Sequence, residues 1–419
     1  MKVSALDRQR EIYLNGFSGK LPKVNIDLRT LEETAQEYIS KKAFGYIAGG
    51  AGTESTLRRN REAFEAYKIT PRMLKNVGDR DISINLFGKT LPSPFLLSPI
   101  GVLEMVNKEA DLAVARAAAS LNVPYIFSNQ ASVPMEVCAQ AMGPAPHWFQ
   151  LYWSKSKDLV ASFVQRAEKC GCSAIVVTLD TTMLGWRTRD LELAYLPFLE
   201  GKGIAQYTSD PVFQRLLDEP APPSPKRKVT FQTLRGLVKM VNNYPGTGFF
   251  RKLKSGKPMK AVQTFTSMYT NPFTTWEDLH FLREHTKLPI LLKGILHPED
   301  AKKAIDYGMD GIVISNHGGR QVDGSVSTIE MLPAIANAVQ GKIPILLDSG
   351  IRGGADAFKA LALGATAICI GRPYVYGLAL AGEEGVREVL QNFMADFELT
   401  MGLAGCQSIQ EVKPEMLHY

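Results

Sequence analysis

Eight short apolar runs recur along this chain, each followed by a helical pattern, and no other feature restricts the fold so tightly. The runs span residues 94–97, 124–127, 147–149, 174–177, 290–292, 311–314, 345–347 and 367–370. Segments so short and so rich in Ile, Val, Leu and Phe read as strands. Helical patterns fit between them, as at 298–307 and 354–363, where Glu299, Asp300 and Asp356 fall in the first turn and suit a helix N-terminus. Strands alternating with helices predict an α/β fold, a parallel (β/α)8 barrel. The 419 residues, 45% of them hydrophobic, suffice for one such core.

Parallel strands of a barrel end on one face, where the active sites of this architecture lie. The runs end in Ser98, Ser128, Gln150 and Tyr152, Thr178 and Asp180, Lys293, Asn316 and His317, Asp348, and Gly371 with Arg372. Residues 315–324 are the most informative of these ends, reading Ser-Asn-His-Gly-Gly-Arg-Gln-Val-Asp-Gly. A histidine and an arginine stand there among glycines, which let a ligand approach the backbone. A base beside a fixed cation suits a substrate that loses a proton or hydride next to its own carboxylate. The alternative is a solvated turn with an incidental histidine. After the seventh and eighth runs, residues 348–354 and 371–373 combine glycine amides with Arg352 and Arg372, a composition that holds phosphate at this end of a barrel.

The chain is expected to form one domain, residues 1–419, with a helical extension over 1–90, a barrel over 91–380 and C-terminal helices over 381–419. Residues 190–275 interrupt the fourth connection as a lid, a contact surface or a partly disordered loop. The net charge of +6 conceals an asymmetry: ten basic residues from Lys226 to Lys260 have no acid among them, so that segment carries +10 and the remainder −4. Such a block could meet nucleic acid or anionic lipid, but a solvated insertion is the commoner case. No nucleic-acid partner is expected and membrane association through 226–260 is not favoured. No apolar stretch reaches the roughly eighteen residues of a membrane span. Residues 1–7 lack the apolar core of a signal peptide. The cysteines at 138, 170, 172, 369 and 406 show no metal-ligand pattern, so no metal is expected and the compartment reads as reducing and cytoplasmic. Cys170-Gly171-Cys172 reads as structural in preference to redox-active.

The rim motifs, taken in order, resemble those of the FMN-dependent 2-hydroxy acid oxidising family. They are Tyr46-Ile47-Ala48-Gly49-Gly50, Ser98-Pro99-Ile100-Gly101, Phe149-Gln150-Leu151-Tyr152, Thr178-Leu179-Asp180-Thr181, Leu292-Lys293-Gly294, 315–323, 348–352 and Gly371-Arg372-Pro373. Within that family, residues 185–187, residues 208–214 and the long fourth loop look most like lactate 2-monooxygenase. The resemblance implies FMN as cofactor, a small 2-hydroxy acid and O2 as partners, and a homotetramer or homo-octamer. It makes His317 the base, Asp180 the stabiliser of its imidazolium, and Arg187, Arg320 and Tyr46 the carboxylate holders. Tyr152 would bond the hydroxyl or keto oxygen, and Lys293 would face the flavin where reduction places negative charge. FMN would be bound by Pro99, Ile100 and Gly101, by Ser128, Gln150, Thr178 and Ser315, and at its ribityl phosphate by Asp348, Ser349, Gly350, Ile351 and Arg352 with Gly371 and Arg372.

The chemistry of the residue types agrees with this. An anionic reduced flavin needs a fixed cation in a dry site, which Lys293 supplies. Two arginines orient one carboxylate better than lysines would. Other readings are a surface ion pair of Arg187 with Asp190 or Glu192, an N-cap for Asp180, and packing alone for the two tyrosines. Gln130 stands where glycolate oxidase has tryptophan. Gly101 stands where the simple oxidases have alanine, which predicts open space beside the flavin. The expected reaction is lactate 2-monooxygenation to acetate, CO2 and water. Its rivals are an oxidase releasing pyruvate and H2O2, a membrane-peripheral quinone-linked dehydrogenase, a flavin isomerase and a binding-only barrel.

Overall fold

The computed structural model describes residues 4–219 and 230–419. All eight apolar runs are strands: β1 (Phe95–Leu97), β2 (Tyr125–Phe127), β3 (His147–Tyr152), β4 (Ile175–Thr178), β5 (Ile290–Ile295), β6 (Gly311–Ile314), β7 (Ile345–Leu347) and β8 (Ala367–Ile370). They pair in parallel in that order, and Ile368 of β8 lies opposite Phe95 of β1, closing the barrel. The fold is thus an α/β barrel with helices before and around it.

Side chains alternate along each strand, so the barrel sorts its residues by parity. Leu96, Ile126, Trp148, Val176, Leu291, Val313, Leu346 and Cys369 form one buried interior cluster. Their neighbours Phe95, Phe127, Phe149, Val177, Leu292, Ile312, Leu347 and Ile368 belong to the separate core under the outer helices. Two residues beyond each interior position stand Ser98, Ser128, Gln150, Thr178, Lys293, Ser315, Asp348 and Gly371, all buried or nearly so. The floor below them is apolar and the ceiling is polar because the same parity runs through both.

The other end of the barrel is stopped by a hairpin. Ile84–Leu86 and Lys89–Leu91 pair antiparallel, and Ile84, Leu86 and Leu91 join the interior cluster. The extension over residues 1–90 is therefore not helical throughout. Helices Ala5–Phe17, Leu31–Tyr38, Lys41–Ala48 and Ser55–Glu62 are followed by this short hairpin, whose three-residue strands give too little alternation to read from sequence.

The described part of the fourth-connection insertion is ordered into helices. Phe231–Asn243, Phe249–Ser255 and Lys257–Met268 follow four shorter helical turns. Tyr207 lies 4.8 Å from Phe265 and 5.0 Å from Phe163 of the barrel helix Lys157–Lys169, while Phe265 stacks on Tyr269 at 4.7 Å between ring centroids. This aromatic core anchors the insertion to the barrel. The Pro-rich residues 220–225 and the basic residues Lys226, Arg227 and Lys228 lie outside the described residues. At the C-terminal end, Arg372–Leu403 is two helices that meet at a break, where Ala381 and Gly382 leave the helical conformation. Among the described residues no helix is long and apolar enough to cross a membrane.

Trp148 tests the floor. It is 3% exposed and its ring lies 5.8 Å from that of Phe87 in the hairpin turn. Trp148→Ala should cost about 3–5 kcal/mol, the usual range for truncating a buried aromatic, and lower the thermal midpoint clearly. An unchanged midpoint would show that the hairpin does not pack on this ring.

Candidate active site

The mouth of the barrel gathers the ionisable groups. His317 follows β6 in the left-handed region, with φ of 57°, and Gly318 and Gly319 continue at 66° and 76°. Three such residues in succession make a sharp turn that glycine tolerates, whereas the histidine bears strain on the order of 1–3 kcal/mol. The turn is held from both sides: the His317 amide donates to Ser315 Oγ at 3.1 Å and the Gly318 amide to Ser349 Oγ at 3.0 Å. In this position His317 Nδ1 lies 2.8 Å from Asp180 Oδ1, to which Thr181 Oγ1 also donates at 3.0 Å.

Burial by itself would raise the Asp180 carboxyl, but His317 and Lys293 outweigh it and hold the group down at about 2. Burial lowers His317 below the ordinary histidine value by more than Asp180 restores. The imidazole is therefore neutral near pH 7, and its proton sits on the nitrogen that faces the carboxylate. Nε2 is left as the basic atom.

Lys293, on β5, donates to Ser315 Oγ at 2.7 Å and pairs with Asp348 Oδ2 at 3.1 Å. Burial would weaken its charge, yet Asp348 and Asp180 raise its pKa, so a cation is fixed in the dry floor of the mouth. Asp348 thus serves as the counter-ion of Lys293.

The two arginines arrive on different segments and meet around Tyr46, which closes the helix Lys41–Ala48. Arg320 and Arg187 lie 5.0 and 6.0 Å from the Tyr46 ring centroid. Their partners are neutral: Arg320 donates to the Tyr46 carbonyl and to Gly49 O, Arg187 to Arg320 O and Gln321 Oε1. Arg187 is 7% exposed, which removes the surface-ion-pair reading. Burial and the charge of Arg187 depress Arg320 to about 9. A buried like-charge pair without a bonded carboxylate favours an anionic ligand. Tyr152 is half-buried; desolvation and then the charge of Asp180 push it up to about 12, and it stays a donor.

The residues fit a flavin mononucleotide. Ser98 Oγ, Gln150 Nε2 and Thr178 Oγ1, at the ends of β1, β3 and β4, are buried without a hydrogen-bond partner, each a cost of about 1–3 kcal/mol unless a ligand meets it. Such a row suits the carbonyl and N–H edge of an isoalloxazine. Ser128 instead bonds Gln150 and the Gln130 amide. At the other end, burial lowers Arg352 to about 10, beside Arg372 and Arg61 and close to the N-terminus of helix Gly354–Ala362, as a phosphate requires. Arg372 itself is taken up by Ile47 O, Gly318 O and Gly49 O.

Pro99, Ile100 and Gly101 line the same mouth. The open space expected at Gly101 is not there: a Cβ on this residue would stand 2.8 Å from Gln130 O and 2.9 Å from Gln130 Cβ. Gln130 fills the place that the missing methyl leaves. Sequence reasoning gave no role to Thr181, Asn129, Gln321 or Phe198. Phe198 lines the mouth from the insertion, and nothing in its local sequence points there, since 198 is remote from every strand end.

A family model for FMN-dependent dehydrogenases matches residues 35–419. The L-lactate oxidase of Lysinibacillus sphaericus is 45% identical over 383 residues, covering 91% of this chain and 90% of the relative. An FMN-dependent alpha-hydroxy acid dehydrogenase of Schizosaccharomyces pombe is 40% identical, covering 98% and 94%. The crystal structure of mandelate oxidase matches with a TM-score of 0.75 at 35% identity, covering 94% of this chain and 98% of that one. None of these three is a lactate 2-monooxygenase, the likeness that residues 185–187 and 208–214 suggested.

Because His317 is depressed by burial, kcat/KM for the candidate substrate should rise with pH through a midpoint below the free-histidine value of about 6.5 and then level off. A midpoint at or above neutrality would contradict the neutral-base geometry.

Proposed function

The chain belongs to the FMN-dependent 2-hydroxy acid dehydrogenase and oxidase family, and on that premise we propose an oxidase that takes L-lactate and O2 to pyruvate and hydrogen peroxide. The observation that carries the reading is the juxtaposition of the His317–Asp180 pair, 2.8 Å apart, with buried Arg187 and half-buried Arg320, both on neutral partners. The relatives named as oxidases support O2 as acceptor.

In this mechanism Arg187 and Arg320 clamp the substrate carboxylate, and the edge of Tyr46 fixes its plane. Tyr152 donates to the oxygen on the α-carbon. His317 Nε2 accepts the proton that leaves the substrate, and ionised Asp180 stabilises the resulting imidazolium through Nδ1–H. Ser98, Gln150 and Thr178 would hold the isoalloxazine and Arg352 the phosphate, with Lys293 the cation beside the ring. Bound FMN supplies two-electron acceptance from the α-carbon and return of those electrons to O2.

Lactate 2-monooxygenation would need pyruvate to remain until peroxide decarboxylates it. Phe198 and the insertion narrow the mouth, but the oxidases among the relatives favour release.

The test is product analysis of the holoenzyme with L-lactate in air. Pyruvate and peroxide should appear in equal yield; acetate and CO2 as the main products would replace the oxidase reading with the monooxygenase one. His317→Ala should keep its FMN and lose on the order of 10²–10⁴ in anaerobic flavin reduction. Parent-like reduction in this variant would remove His317 as the base. Arg187→Met should act mainly on KM, whereas Lys293→Met should weaken FMN retention or lower the flavin potential. Equal effects of both on KM alone would undo that division of roles.

A further inference from the structure

Arg187 and His317 reach the mouth on separate loops, and besides the His317–Asp180 bond a second side chain, Gln321, joins those loops. Gln321 Nε2 donates to Asp180 O at 2.6 Å and to Met183 O at 2.9 Å. Its Oε1 accepts from Arg187 Nη2 at 3.2 Å and from the Gly185 amide at 3.3 Å. An amide side chain has two N–H donors and two acceptor sites, and all four are used. Rotating the amide by half a turn would set N–H against N–H and oxygen against carbonyl oxygen, so the network fixes its orientation.

The backbone shows the same contact. A Cβ on Gly185 would stand 2.5 Å from Arg320 O and 2.7 Å from Gln321 O, so the two loops touch with no room for a side chain. Arg187 Nε also points at Arg320 O, 3.4 Å away. The loop from Asp180 to Arg187 thus rests on the loop from His317 to Gln321, whose Gln321 side chain accepts from Arg187.

We propose that Gln321 is a positioning residue: its amide locks the Arg187 guanidinium in the carboxylate-receiving orientation and ties it to the backbone of Asp180. The inference rests on the reading of Arg187 as a carboxylate anchor. It assigns Gln321 no contact with the reacting atoms. Without the amide, Arg187 keeps its charge and loses its side-chain acceptor, and the half-buried Asp180 carbonyl and the exposed Met183 carbonyl lose their donor.

The experiment compares the holoenzyme with Gln321→Met, which keeps length and loses all four bonds, and Gln321→Glu, which keeps the acceptors toward Arg187 and Gly185. Binding of propionate, a carboxylate with no hydroxyl to oxidise, is measured by flavin absorbance titration alongside lactate kinetics, FMN content and thermal midpoint. Gln321→Met should raise the propionate Kd and lactate KM together by roughly 10-fold to 100-fold, as expected for losing a hydrogen bond to a charged group, with a smaller change in kcat. Gln321→Glu places a carboxylate against Arg187 that competes with the ligand. It should weaken propionate binding as well, and more so as pH rises through the glutamate's own titration, a trend that Gln321→Met lacks.

Parent-like propionate affinity in Gln321→Met would overturn the proposal. So would losses confined to FMN content and midpoint, which mark a merely structural role. A parent protein that binds propionate yet oxidises no 2-hydroxy acid would reject the oxidase reading and leave the positioning role standing. A parent that binds no propionate rejects the role of Arg187 and this proposal with it.

Discussion

Everything at the mouth depends on the parity of side chains in a closed parallel barrel. Because successive residues face opposite sides, the interior column that packs Leu96, Trp148, Val176 and Leu291 into the floor continues upward into Ser98, Gln150, Thr178 and Lys293. A one-residue slip in any strand would turn its polar residue into the outer apolar core, at a cost of several kcal/mol for a buried charge. The register that fills the core therefore also aims the site, and packing energy maintains functional geometry.

On that platform the electrostatics divide into two compensated and two uncompensated groups. Asp180 lies against His317 and Lys293, which hold its carboxyl low, and Lys293 is kept charged by Asp348 and Asp180. The arginine pair around Tyr46 rests on neutral oxygens, and the Arg352 guanidinium donates to the Ile351 carbonyl, whereas Arg61 beside it is paired with Asp356. Buried cations of that kind are costly in the ligand-free chain and stabilised by anions. Those two places suit a substrate carboxylate and a cofactor phosphate, and the unpartnered donors of β1, β3 and β4 line the same mouth.

Precision comes from the loops, where the sequence shows residue types without their contacts. The His317 turn is strained and held by Ser315 and Ser349. Arg187 is directed by Gln321, and Gly185 allows the two loops to touch. The insertion contributes Phe198 to the mouth through an aromatic core of its own. Apart from Ser315 with His317 and the Phe265–Tyr269 stack, these contacts join residues far apart in sequence.

The sequence by itself determined the strands, their order and the polar residue at each end, because short runs punctuated by glycine and proline carry that information locally. It also determined which groups are able to act as base, cation and anion holder, since residue type sets chemistry. Tertiary structure alone decided what each group bonds. It made Asp348 the counter-ion of Lys293, spent Arg372 on backbone carbonyls, filled the place beside Gly101 with Gln130, and converted residues 84–91 into a barrel plug. The reason is distance along the chain: Gln321 and Arg187 are 134 residues apart, and Lys293 on β5 and Ser315 just after β6 are 22 apart. Such partners are chosen by strand order and loop packing, which become visible only when the barrel closes.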